Sequence, residues 1–157
     1  MSHERGMVLL LALVLSLLLA LLAASALRDA LTETRMTGAM TDGLQAFDDA
    51  EIVLLAGVEA LQHSPPGQCN DCRPPPRPHD LQGQWQNHQR GYFQLQNLGE
   101  TERAAHMPEG EQVTLYRITA VSRQLAARQV LEAVYAVPTA QAQAPQRILW
   151  RQRLRQD

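Results

Sequence analysis

Lysine is absent from this sequence, so its 14 permanent positive charges are all carried by Arg and are set against 16 acidic residues. The resulting net charge of −2 argues against a nucleic-acid-binding protein, which needs a basic surface to neutralise phosphates. Aromatic residues make up only 4% of the chain, which indicates a small domain with a polar surface. Also missing are a glycine-rich phosphate-binding loop, a Ser/His/Asp catalytic set and a dinucleotide fingerprint. The sequence therefore gives no indication of an enzyme.

A long uncharged run is present near the N-terminus, at residues 7–27, and it contains neither proline nor glycine. As a helix, these 21 residues would rise roughly 31 Å, which matches the hydrocarbon thickness of a bilayer. The run predicts a single membrane-spanning helix. About 130 residues remain after the run is set aside, enough for one domain with a modest core.

Three kinds of signal fit the start of the chain. The segment Ala24-Ser25-Ala26 fits the cleavage site of a secretory signal, although the apolar run before it is longer than such signals use. An uncleaved signal anchor is a second interpretation. We favour a third, in which residues 1–6 form a short polar leader that is removed after Gly6 while the apolar helix stays. In all three, the N-terminus is cytoplasmic and the rest of the chain lies across the membrane.

The apolar pattern continues beyond the run, with apolar residues recurring every three to five positions over residues 28–62. This spacing predicts one face of an amphipathic helix. Pro65 and Pro66 cannot continue a helix and predict where it ends. Glycines weaken the segment, and residues 36–43 are expected to bend or fray. The prediction is one long helix, apolar in its first half and amphipathic in its second.

The rest of the chain divides into a loop and a sheet. Residues 63–89 contain six of the nine prolines, which predicts an extended, partly stiff loop without a core of its own. Residues 90–157 show the alternation of half-buried strands. About four antiparallel strands are expected, at 91–96, 112–123, 130–137 and 147–154. One face of this small sheet would lie against the amphipathic half of the helix, giving an α+β fold.

The motif Cys69-Asn70-Asp71-Cys72 is the main chemical feature of the loop. A structural disulfide suits an oxidising compartment and is the interpretation that we favour. A zinc site would need two further ligands, and His63 and His79 are available in the same segment. A redox-active dithiol would require the first cysteine at a helix N-terminus, whereas prolines surround this one.

The other polar clusters are weaker candidates. His88 and His106 lie in polar stretches and are expected to be solvated. Asp48, Asp49 and Glu51 lack the second half of a catalytic or Ca²⁺ site, so we expect a solvated or subunit-facing acidic patch. The last strand carries four basic residues, Arg147, Arg151, Arg153 and Arg155. They are expected to form a solvated strand edge, or to pair with the acidic patch of a neighbouring subunit.

Several motifs together resemble one family. Gly6 followed by the apolar run is similar to the processing site of type IV prepilins. The stretches Glu33-Thr34-Arg35-Met36-Thr37-Gly38 and Ala46-Phe47-Asp48-Asp49-Ala50-Glu51 resemble the E-x-R-M-x-G and A-F-x-x-A-E elements of the PilX group of type IV pilus minor pilins. Residues 115–120 (LYRITA), 130–136 (VLEAVYA) and the Trp150-Arg151 pair resemble strands of that group, and the loop 63–89 is unmatched.

The resemblance implies a pilin-like fold and a non-enzymatic role. Prepilin peptidase would cleave after Gly6, and Met7 would become the methylated N-terminal residue. The protein would be a single-pass inner-membrane protein with a periplasmic head before it enters the pilus, where its place would be at the tip. Its partners would be other minor pilins, the major pilin and the inner-membrane assembly platform, and its task would be to prime pilus assembly. No cofactor, metal, nucleic acid or small-molecule substrate is implied.

Leu11 occupies the fifth position of the expected mature chain, where most pilins have Glu. A carboxylate in hydrocarbon is costly unless it is paired, and in pilins its partner is thought to be the N-terminus of a neighbouring subunit. A subunit with Leu11 needs no such neighbour above it, which suits the filament tip. The same feature marks K-type minor pseudopilins of type II secretion, which is the alternative within this superfamily. From another class, a periplasmic thiol or metal-binding protein anchored by one helix is a further alternative.

Overall fold

The computed structural model describes residues 2–139 and 144–155, with side chains described from residue 7 onward. The helix α1 spans Ser2–His63, and a short 3₁₀ turn spans Pro78–Asp80. Five strands follow the helix in the order β1 Gln86–His88, β2 Gly91–Thr101, β3 Val113–Ser122, β4 Val130–Pro138 and β5 Gln146–Arg153. They form one sheet in sequential order, and every neighbouring pair is antiparallel. The predicted α+β class, with a long N-terminal helix and an antiparallel meander, is confirmed.

The number of strands differs from the prediction, because β1 lies inside the segment that was expected to be entirely loop. Its three residues are polar and show no alternation, so nothing in the sequence marks them as a strand. They become one by pairing with the start of β2, from Gln86 opposite Phe93 to His88 opposite Gly91. β2 is also longer than expected, since a bulge between Asn97 and Gly99 lets its pairing with β3 continue to Thr101.

The chain divides into two compact units after Thr41. In the first unit, the large apolar side chains of 7–27 are all exposed, from 47% at Val14 to 72% at Leu9. Ser16 and Ser25 donate hydrogen bonds to backbone carbonyl oxygens one turn earlier, so their hydroxyl groups are satisfied inside the helix. By length and composition this is one candidate membrane-spanning helix among the described residues, as predicted.

The segment 36–43 was expected to bend or fray, and the expectation of fraying is wrong, because α1 is uninterrupted across it. Thr37 and Thr41 donate hydrogen bonds to carbonyl oxygens four residues earlier, in the same helical register. The helix ends at His63, where the sequence predicted, just before the proline pair. The expected leader, residues 1–6, begins outside the described residues, and nothing is described of its side chains.

The core of the second unit lies between the last turns of α1 and one face of the sheet. Helix residues Val53, Leu54 and Leu61 are at most 3% exposed. They pack with sheet residues that share the helix-facing side, namely Phe93, Tyr116, Ile118, Ala120, Ala133 and Tyr135. The expected packing of the amphipathic segment on one sheet face is thus confirmed. It leaves the opposite, outer face of the sheet to be covered by something else.

Candidate functional site

The outer face of the sheet is covered by the proline-rich loop. Prolines have no N–H group, so the loop has more backbone acceptors than donors. Strand side chains supply the missing donors to loop carbonyl oxygens at 2.8 to 3.1 Å, and the pairs are Asn97 with Pro66, Arg117 with Cys72, Gln96 with Arg73 and Arg153 with Pro75. Pro75, Pro78 and His79 are buried. The loop is therefore packed against the sheet as part of the head.

Cys69 and Cys72 form a disulfide, with their Cα atoms 5.4 Å apart, as the sequence favoured. The backbone N–H of Cys69 donates to the carbonyl oxygen of Asn97 at 3.0 Å, and Cys69 Sγ lies 2.8 Å from the same oxygen. These contacts fix the disulfide turn beside the bulge of β2. Since both sulfurs are bonded to each other, neither is available as a thiolate ligand or as a redox-active thiol.

The histidines that were considered as zinc ligands lie in different settings. His63 is exposed at the end of α1, and its Nδ1 atom lies 2.8 Å from the carbonyl oxygen of Glu59. His79 is buried in the 3₁₀ turn, and its backbone carbonyl oxygen accepts a hydrogen bond from Arg128. Within residues 2–139 and 144–155, no group of three or more His, Cys, Asp or Glu side chains is placed to hold a metal ion.

Glu132 of β4 is the centre of an ion-pair cluster on the outer sheet face. Its side chain is 1% exposed, and Arg151 Nε donates to its Oε1 atom at 2.8 Å. Arg153 Nη1 lies 3.6 Å from Oε2, and Arg117 Nε lies 3.8 Å from Oε1. Burial lowers the pKa of the Arg117 guanidinium, and the charge of Glu132 opposes that shift. Because Arg117 and Arg153 also bind loop carbonyl oxygens, this cluster joins three strands to the loop.

A basic cleft of about 800 Å³ opens between the 3₁₀ turn and the end of β5. Four arginines line it, namely Arg77, Arg151, Arg153 and Arg155. Asp80, also in the lining, forms an ion pair with Arg155 at 3.1 Å. The pKa of His79 is lowered by burial and then by the charges of Arg155 and Arg153, which Asp80 only partly offsets. The lining of the cleft therefore carries more positive than negative charge.

The expected acidic patch on the helix is divided by the fold. Asp48 and Glu51 are exposed, as expected. Asp49 is only 8% exposed and accepts a hydrogen bond from Arg90 Nη1 at 2.8 Å. The expectation that all three form one solvated patch is wrong for Asp49, because its position on the helix turns it toward the β1–β2 connection.

The basic last strand also differs from a solvated edge. A shift in its pairing with β4 skips Ile148, so that Arg151 lies opposite Glu132 and Arg147 opposite Tyr135. Arg151 and Arg153 therefore take part in the Glu132 cluster. Trp150 points to the other face of the sheet and packs edge-on against Phe47 of α1, with ring centroids 6.2 Å apart.

Of the other histidines considered in the sequence, His106 is exposed as expected. His88 is half-buried, and its Nδ1 atom accepts a hydrogen bond from the backbone N–H of Arg90.

Sequence reasoning missed the cluster around Glu132, although a signal for it was present. Glu132 is the single acidic residue in the otherwise apolar strand β4. A charge inside a buried strand requires a partner, and Arg117 is the corresponding lone charge in β3. The two do not face each other directly in the register, where Glu132 pairs with Thr119. The sequence could thus have indicated a buried ion pair, but not its geometry.

Comparison of the chain with protein-family models, curated proteins and solved structures finds no match.

Proposed function

We propose that this protein is a minor pilin of the type IV pilus, which joins a complex of minor pilins in the inner membrane, primes pilus assembly and stays at the tip. The observation that carries the proposal is that one helix, α1, serves two purposes. Its residues 7–27 are apolar and exposed, whereas its last turns form half of the core of the head. Together with the motifs that resemble the PilX group, this combination supports a helix that anchors in a membrane and later packs among other helices.

The helix surface of the head supports the same proposal. Leu44 and Leu55 are 62% and 65% exposed on α1, although the opposite side of the helix at Val53 is fully buried. They are 11 residues apart, about three helical turns, and so lie on nearly the same face. The head helix thus leaves two large apolar side chains uncovered by its own domain, beside the exposed carboxylates Asp48 and Glu51 on the same side. Neighbouring pilin helices in a filament are the proposed cover for these two leucines.

The proposal also assigns a purpose to Leu11, which is 68% exposed on the apolar part of α1. At the fifth position of the proposed mature chain it offers no carboxylate for the N-terminus of a subunit above it. A charged residue in hydrocarbon costs about 3 kcal/mol on insertion scales, so an unpaired Glu at a filament tip would be unfavourable. Leu at this position is favourable where no subunit lies above, which is the tip.

The N-terminus of the mature protein tests this function. In the native host, mass spectrometry of the purified protein is expected to show a chain that starts at N-methylated Met7. Gly6→Val is expected to abolish this processing, because the proposed peptidase site requires a small residue before the scissile bond. Gly38→Val is the matched control: it makes the same substitution on the same helix, at a site with no neighbouring atom within 4 Å, and should leave processing unchanged.

Other N-termini would contradict the proposal. A chain that starts at Leu27 would indicate a secretory signal, and an intact Met1 would indicate a plain membrane anchor. Processing at Met7 in the wild type, together with a gene-deletion strain that retains normal surface pili but fails to secrete exoproteins, would instead identify a type II secretion pseudopilin. Loss of surface pili with intact secretion is the outcome expected for a minor pilin.

A further inference from the structure

The basic cleft beside β5 contains more positive than negative charge. Its lining has four arginines and one carboxylate, Asp80, and Glu132 lies buried behind it. Arg151 is paired with Glu132 and Arg155 with Asp80, which leaves Arg77 and part of the charge of Arg153 without an acidic counterpart in the cleft. This local excess is notable in a chain whose net charge is −2. An oxyanion is the ligand that such a site attracts.

Arg77 is the clearest candidate ligand-binding side chain. It is exposed, and among the described residues its side chain makes no ion pair or hydrogen bond. Its backbone has φ 41°, a left-handed conformation that is uncommon for residues other than glycine. Leu81, at the other end of the 3₁₀ turn, has φ 54°. Both ends of the turn thus have a left-handed backbone, and Arg77 at its start lines the cleft.

The end of β5 lies at the same cleft. The lining of the cleft includes Arg151, Gln152 and Arg153 of β5 and the two residues that follow the strand. In the described sheet, β5 is the last strand and pairs only with β4. Alternate N–H and C=O groups on its free side therefore lack a partner strand. Such an edge accepts an extended peptide, whose main chain continues the sheet.

We propose that the cleft binds an acidic peptide segment of another protein in extended conformation, which adds to the free edge of β5 and places its carboxylates against Arg77 and against Arg155, whose ion pair with Asp80 is made through Nη2 alone. A peptide is favoured over phosphate, an anionic polysaccharide or a lipid headgroup because only a peptide can use the backbone edge and the arginines together. Planar guanidinium groups bind carboxylates through paired hydrogen bonds. The inference depends on the cleft alone and not on the proposed pilus function.

His79 provides an internal reporter of binding. It lies in the lining, and the charged groups that act on it are Arg153 and Arg155 from the end of β5, Arg128 from the β3–β4 connection and Asp80 from its own turn. The positive charges lower its pKa, together with burial. A carboxylate that enters the cleft offsets them, so the pKa of His79 is expected to rise when the acidic peptide binds.

The experiment uses the full-length protein in uncharged detergent micelles. The probe is a short acetylated and amidated peptide in which Glu alternates with Val, and its affinity and the pKa of the His79 ring are measured by NMR titration. Arg77→Gln and Arg155→Gln are each expected to weaken binding about tenfold, the effect of losing one charge-assisted hydrogen bond. Arg103→Gln removes the same charge from an exposed site outside the cleft and should leave the affinity unchanged. Thermal melts confirm that each variant is folded.

Further arms separate the peptide from other anions. Two control peptides should each bind at least tenfold more weakly. The same peptide with Gln in place of Glu lacks the negative charges, and the peptide with N-methylated alternate residues lacks the N–H groups that would hydrogen-bond to the edge of β5. The proposal is overturned if the acidic peptide fails to bind, if Arg103→Gln weakens binding as much as Arg77→Gln, or if the pKa of His79 does not rise. It is also overturned if inorganic phosphate, heparin or phosphatidylglycerol vesicles bind with the same Arg77 dependence and the N-methylated peptide binds equally well.

Discussion

At the residue scale, Glu132 shows how one buried charge organises the head. Its carboxylate lies among Arg117, Arg151 and Arg153, and two of these also bind the loop. Desolvating a carboxylate is costly, and here the surrounding guanidinium groups offset that cost. The geometry therefore makes the loop and the last three strands depend on a single side chain.

Replacement of that charge gives a direct test. Glu132→Gln is expected to lower the free energy of unfolding by about 2–3 kcal/mol, because it leaves the arginines without their counter-ion. The value lies below that of a fully buried pair because Arg151 is 52% exposed. Urea denaturation of the full-length protein in detergent measures it. Glu102→Gln, which removes an exposed carboxylate, should change stability by less than about 0.5 kcal/mol, and equal losses in both variants would contradict the role of Glu132.

At the element scale, the close packing of α1 on the sheet depends on a glycine. A β-carbon at Gly57 would lie 2.6 Å from Cγ2 of Ile118, which is fully buried. Gly43 lies on the same helix with no atom within 4 Å of the corresponding position. The two glycines looked equivalent in the sequence, where both were expected only to weaken the helix. In the structure, a side chain at position 57 would collide with Ile118, whereas a side chain at position 43 would meet no neighbouring atom.

The same substitution is therefore expected to have opposite effects at these two sites. Gly57→Ala should destabilise the head by about 1–2 kcal/mol, since the clash with Ile118 outweighs the gain in helix propensity. Gly43→Ala should stabilise it by up to about 1 kcal/mol, because only the propensity changes. Thermal unfolding followed by circular dichroism compares both with the wild type. A stabilising Gly57→Ala would show that the helix does not lie this close to β3.

At the scale of the whole molecule, the core belongs entirely to the second unit, which starts at Asp42. Its helix contributes Ala46, Ala50 and Val53 among other residues, all buried. The membrane-spanning candidate 7–27 has no buried side chain, so it contributes nothing to that core. The fold of the head should therefore be separable from the apolar part of α1.

A pair of fragments tests this division. Residues 42–157 are expected to be soluble and to unfold cooperatively, because they contain both sides of the core. Residues 64–157 retain all five strands but lose the helix, which leaves the apolar face around Ile118 and Tyr135 uncovered, so they should not fold. Circular dichroism and thermal melts distinguish the two. A cooperative transition in the shorter fragment would show that the sheet and loop alone form a sufficient core.

The main elements could be predicted from the sequence because each has a local pattern. The helix follows from its apolar spacing and ends before Pro65, and four of the strands follow from alternation. The Cys69–Cys72 disulfide was the favoured interpretation of its motif because it suits an oxidising compartment. β1 had no such pattern, and its polar residues form a strand only because β2 lies beside them. The function still depends on the resemblance of motifs, which supports a minor pilin as a proposal.

The sequence by itself determined the long N-terminal helix with its apolar first half, and the order of four strands after it, because residues a few positions apart set these features. Only the tertiary structure decided where the loop lies and which charges meet. Arg117 binds a carbonyl group 45 residues away at Cys72, and Arg153 binds one 78 residues away at Pro75. The burial of Asp49 and the positive cleft at Arg77 arise in the same way. The spacing of apolar and polar residues along the sequence does not predict such contacts, since they form only when the sheet brings distant segments together.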